Sequence, residues 1–186
     1  ATQVAALTQT QAKALTPLQI SALSTTQVSS LLPANLGVLS TTQVKALSST
    51  QIAALQRSQV ARPATEQIAG LTSLQMRTLS QTQLDALSQT QLAAITTQQF
   101  RNLSATQVNL LNTTLIAALS ATQVGGLTPL QIGALTTTQL AVLNATHINA
   151  ISVAQVKSLT ATHVGQLSTT QMASLSTLQI KTLSTT

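Results

Sequence analysis

Apolar and polar residues follow one another on a fixed beat of eight. Leu7, Leu15, Leu23, Leu31, Leu39, Leu47 and Leu55 open the series, and every eighth position up to Leu183 is Leu or Ile except Pro63. Four residues before each of these stands Gln, replaced only by Asn35, Leu115, His147 and His163. An apolar residue follows each Gln place, and Ser or Thr follows most of the Leu residues. The consensus is Leu-[Ser/Thr]-x-Thr-Gln-[Val/Ile]-x-Ala, then Leu again. No insertion breaks the phase, so every octad must occupy an equivalent place in the fold.

One long helix cannot use this pattern. Eight residues at about 100° each overshoot two turns by about 80°, so the apolar stripe would wind around the helix. The period is neither seven nor eleven, which excludes the usual coiled-coil seams. Strands fail as well. The apolar pair of each octad, such as Ile20 and Leu23, is three residues apart, on opposite faces of a strand and on one face of a helix. Gly is scarce, with six residues, where a β-solenoid needs many turns.

A short helix in each octad fits. Ser or Thr after Leu is an N-cap, and Gln three residues on completes a capping box. Ser24 with Gln27, Ser40 with Gln43, and Thr128 with Gln131 are examples. Pro17, Pro33 and Pro129 all stand one place after the cap. That is the first helical position, where the missing N–H costs little and the fixed φ helps. Anywhere inside a continuous helix each would cost about 3 kcal/mol. Such short helices cannot persist alone. The expected fold is therefore all-α: a solenoid or superhelix of stacked eight-residue repeats, each one short capped helix. Val/Ile and Leu should face inward, and the Gln column can form a hydrogen-bonded ladder. The place after Val/Ile holds Lys13, Lys45, Arg77, Asp85, Arg101, Lys157 and Lys181, and should face solvent. Leu replaces the usual Thr at Leu18, Leu74, Leu130 and Leu178, which suggests a longer period near seven octads.

Residues 1–186 read as one continuous octapeptide array, expected to be an excerpt of a longer chain. Its main irregularity lies at 56–66. Gln56 and Ala64 stand in cap places, Pro63 in a core place, and Arg57, Arg62 and Glu66 crowd together. A loosened octad with an Arg62–Glu66 surface pair is the expected reading, and a recognition patch the other.

Composition narrows the function. Only 5% of residues are charged and 1% aromatic, and there is no Cys. The surface must be Ser, Thr, Gln and Asn. The formal charge of +6 reflects a lack of acids, with two against eight basic residues. Glu66 and Asp85 are the only acids, so acid–base and metal-assisted chemistry lack their parts. His147 and His163 read as polar stand-ins for Gln rather than as metal ligands. The chain is not expected to be an enzyme, to hold a cofactor or metal, or to take a small-molecule substrate. No apolar run is long enough for a membrane span. Asn102, Asn112 and Asn144 begin glycosylation sequons, which arise readily by chance in a Ser/Thr-rich chain.

The segment Leu127–Leu135, "LTPLQIGAL", resembles the opening helix of transcription-activator-like effector repeats. The similarity covers nine residues and stops before the part of that repeat that reads bases. The whole chain resembles low-complexity octapeptide arrays of large bacterial secreted or surface proteins, often described as adhesin-like. That resemblance implies a structural or adhesive role at the cell surface or outside the cell. The expectation is a rod, filament or tube-wall segment that self-associates, end to end or laterally. The alternative is a superhelical binding module for nucleic acid or another polyanion. It would use Lys13, Lys45 and Arg77, which form a stripe if one superhelical turn holds four octads; nucleic acid is not the expected partner.

Overall fold

Each octad carries the same start signal and the same stop. The hydroxyl after Leu caps the helix, and the next core Leu or Ile leaves the helix or closes it with an N–H to the carbonyl three residues back, as Leu31 does to Val28 at 3.2 Å. The result in the computed structural model, which describes residues 2–183, is 23 helices of four to seven residues. The fold is all-α, and each helix corresponds to one octad. Pro17, Pro33 and Pro129 each form the first residue of a helix.

The chain falls into two units, Ala1–Ile95 and Thr96–Thr186. Both are built by one rule: a helix packs against the third helix after it. In the first unit Pro17–Ser21 packs on Thr41–Ala46, and Ser49–Ala53 on Ser73–Thr78. In the second, Thr97–Asn102 packs on Ala121–Gly126, which packs on Ala145–Ala150. Hydrogen bonds between coils span 28 and 31 residues. One coil therefore closes between three and four octads, and each unit is a stacked-repeat solenoid.

The two apolar places of the octad line the interior of each unit. Val28, Leu31, Ile52, Met76 and Leu79 are buried in the first, and Phe100, Leu103, Ile132 and Leu135 in the second. Each such side chain contributes roughly 1.5–3 kcal/mol. This burial holds helices that are too short to stand by themselves. Small residues before the core Leu let coils approach. At Gly125 an added Cβ would lie 2.8 Å from the Ala150 carbonyl oxygen, and at Gly126 it would overlap the Thr97 methyl.

The exposed set also obeys the octad. Lys13, Lys45, Arg77, Arg101, Lys157 and Lys181 are exposed, and Asp85 is half-buried. The Leu residues that replace Thr are among the most exposed apolar side chains, with Leu18 at 79% and Leu130 at 75%. Leu18 and Leu74 are 56 residues apart, twice the 28-residue reach of the inter-coil bonds.

Candidate functional site

The recurring chemistry of this chain is a side-chain amide that serves two helices at once. Gln43 shows it in full. Its Oε1 accepts the Ser40 N–H at 2.6 Å, while the Ser40 hydroxyl accepts the Gln43 N–H at 3.2 Å. This is the reciprocal capping box. Its Nε2 then donates to the carbonyls of Leu15 (2.6 Å) and Lys13 (3.1 Å) in the coil before. The chemistry fixes the orientation of the amide. A cap N–H can only donate and so faces oxygen; a carbonyl can only accept and so faces NH2.

The same staple recurs in both units. Gln75 donates to Val44 and Leu47, at 2.9 and 2.7 Å. Gln131 donates to Phe100 and Leu103, at 2.8 and 2.7 Å, while its Oε1 accepts from Thr128 at 2.7 Å. The accepting carbonyls lie in the last helical turn and at the residue after it, where a helix runs out of its own amide donors, and the one in the helix also accepts the N–H of the core Leu, as Val44 does from Leu47 at 3.2 Å. These Gln residues are buried, so the ladder expected from the sequence does form. Its rungs run from side chain to backbone rather than between glutamines. Ser24 and Gln27 form the capping box alone, at 2.8 and 3.2 Å.

The four substitutions of Gln test what the place requires. His147 reproduces the amide: Nδ1 accepts the Asn144 N–H at 3.3 Å, and Nε2 lies 2.8 Å from the Leu119 carbonyl. A donor is needed at Nε2 and an acceptor at Nδ1, which selects one neutral tautomer. His163 is also buried and accepts the Thr160 N–H at Nδ1. Asn35 is one methylene shorter and keeps only the inter-coil half, donating to Leu7 at 2.8 Å. Leu115 fills the place with apolar volume, and Asn112 still caps its helix.

The remaining candidates behave differently. Lys13, Lys45 and Arg77 are 32 residues apart. The inter-coil bonds reach back 28 to 31 residues, short of that spacing, and each helix packs on the third helix after it rather than the fourth. A coil of four octads, which a vertical stripe requires, is not what the hydrogen bonds close. Arg62 and Glu66 are both exposed, where a solvated pair gains little. Asn112 and Asn144 use Oδ1 as N-caps, and Asn102 donates to the Gln98 carbonyl at 2.7 Å. Near Pro63 an apolar cavity of about 30 Å³ opens in the core of the first unit, lined among others by Leu36, Val60, Ile68 and Leu79.

No protein-family model matches this chain, nor does any curated protein or solved structure. Its own geometry is that of a repetitive all-α solenoid. Among the described residues no three His, Cys, Asp or Glu side chains gather as a metal site would need. No described helix is long and apolar enough to cross a membrane. The architecture is that of a repeat scaffold.

Proposed function

We propose that this chain is a structural segment of a rod or filament in an extracellular or cell-surface protein. One observation carries the reading. The Gln staple spends the octad's most specific chemistry on binding each coil to the one before it, and outward it presents mainly Ser, Thr and Gln. A staple that repeats without change can add coils indefinitely, as solenoids do. The low charge supports the second half of the reading, self-association, because weakly charged surfaces repel one another little. The resemblance to adhesin-like arrays supports the cellular setting. Electron microscopy and sedimentation of the purified protein test this. The expected result is an elongated particle whose mass rises with concentration. A compact monomer at every concentration sinks the proposal.

A further inference from the structure

The helices of the first unit are not equally well made, and the defects share one place. Among the described N-caps from Thr8 to Ser176, three have a side chain that accepts no N–H: Leu32, Gln56 and Ala64, although Gln56 and Ala64 still give their own N–H to the Gln59 and Gln67 side chains at 2.7 and 2.6 Å. In their helices the third N–H turns instead to the cap carbonyl: Asn35 to Leu32 at 2.9 Å, Gln59 to Gln56 at 2.9 Å, and Gln67 to Ala64 at 3.0 Å. Those three-residue bonds have poorer geometry than the capped form. The Pro33–Gly37 helix packs directly on Arg57–Val60, and Thr65–Ala69 is the next helix along the chain.

One further loss falls on the same wedge. Elsewhere the core Leu closes its helix with an N–H, as Leu47 does to Val44 and Leu71 to Ile68. Pro63 has no N–H, so the Val60 carbonyl keeps only the long staple from Gln91, at 3.3 Å. Pro63 lines the apolar cavity of about 30 Å³ together with Val44, Leu47, Ile52, Val60 and Ile68, so that cavity is shared with the capped octads and does not set the wedge apart.

We propose that the wedge formed by Arg57–Val60, Pro63 and Thr65–Ala69, resting on Pro33–Gly37, is a built-in yielding joint. It is where the first unit opens while the capped octads around it stay folded. In a solenoid each repeat is held only by its neighbours, so one weak repeat opens locally and does not bring down the whole. The joint carries its own cleavage signal. Arg57 and Arg62 are exposed there, and only the Arg57–Ser58 bond suits a trypsin-like protease, because Pro63 follows Arg62. This inference does not depend on the rod reading.

Hydrogen exchange of the whole 186-residue chain decides it. After correction for intrinsic rates, amides of 57–69 should exchange at least about tenfold faster than those of 41–53, which lie in the same unit with complete caps. Brief trypsin treatment should cut after Arg57 before it cuts after Lys45 or Arg77. Gln56→Ser, Pro63→Leu and Ala64→Ser together should bring exchange of 57–69 to within about threefold of 41–53. If the triple variant does not fold, Ala64→Ser alone should still slow that segment severalfold. Equal protection of 57–69 and 41–53 overturns the proposal. So does a first cut at Lys45 or Arg77, or a folded repaired variant whose exchange is unchanged.

Discussion

Gln19 and Gln75 occupy the same place in the octad and do half the same work. Each accepts the cap N–H of its own helix, from Thr16 at 2.8 Å and from Thr72 at 2.7 Å. Each gives its own backbone N–H to the cap hydroxyl in return, at 3.2 Å. Gln75 is buried and also grips Val44 and Leu47 of the coil before it. Gln19 is exposed and makes the capping pair alone. One residue type thus performs capping alone at Gln19, and capping plus stapling at Gln75. The difference separates what the octad does for itself from what it does for its neighbour.

The largest test of that difference is Gln→Glu at both places. At Gln75 a carboxylate would turn one oxygen toward the carbonyls of Val44 and Leu47, which only accept. A buried charge without a partner costs about 3–5 kcal/mol. At Gln19 the same carboxylate sits in water in the first turn of a helix, where negative charge is tolerated or mildly favourable. Gln75→Glu should therefore lower the melting temperature strongly and Gln19→Glu should not. The sign with pH follows. The folded state favours the protonated carboxyl, which can donate to Leu47, so its pKa is raised on folding. The stability is fully restored by the time pH falls to the ordinary Glu value of about 4.3, and is lost as pH rises from there through the raised folded value. Melts of the variant and of the parent between acid and neutral pH check this. Equal losses at the two positions would show that stapling adds nothing to capping.

Truncation should rank next. Gln75→Ala removes the donor and leaves two buried carbonyls short of a partner, at about 1–3 kcal/mol each. The Val44 carbonyl is the better protected, since it still accepts from the Leu47 N–H at 3.2 Å. A loss of about 2–4 kcal/mol is expected overall. Gln19→Ala should cost about 1 kcal/mol or less, the value of half a capping box. Chemical denaturation of both variants gives the two numbers directly.

The sequence exposed the helical half of this division more clearly than the stapling half. Capping boxes and first-position prolines are local. Ser40 and Gln43 are three residues apart, and their meaning can be read without knowing the fold. The staple is not local, because Gln75 meets Leu47 only after a coil has closed. Nothing in an octad states how many octads close a coil, and the return distance depends on the bend between successive helices. For that reason a four-octad turn could be entertained for Lys13, Lys45 and Arg77, although the inter-coil bonds reach back 28 to 31 residues, short of their spacing. One signal for the staple was present. Gln is invariant in type at most octads, while capping alone is satisfied by several residues. Asn35 and His147, which keep an inter-coil donor at that place, carry the same message.

Removing the caps gives a smaller effect that should be equal in the two regions. Thr16→Ala and Thr72→Ala each delete one hydroxyl that accepts the third N–H at 3.2 Å. Each should cost about 1 kcal/mol. Neither hydroxyl reaches the preceding coil, so the presence of that coil should make no difference. A much larger loss for Thr72→Ala would mean that the cap hydroxyl also positions the Gln75 staple. A double-mutant cycle of Thr72→Ala with Gln75→Ala would then show coupling.

The smallest expected effect asks whether the later coils need glutamine or only its geometry. His147 provides an acceptor at 3.3 Å and one inter-coil donor at 2.8 Å. Gln155, one octad on, makes a 2.6 Å cap bond and reaches Val124, Gly125 and Leu127. His147→Gln shortens the cap bond and adds a second donor hydrogen, which the imidazole lacks. It should raise stability at neutral pH by about 0.5–1 kcal/mol, the net worth of one added hydrogen bond. The imidazole is the bulkier group, so part of the gain is offset by lost packing. A rise in melting temperature at neutral pH supports the bond-counting view of the staple. An unchanged or lower value would mean that filling the space between coils matters more than the number of carbonyls held.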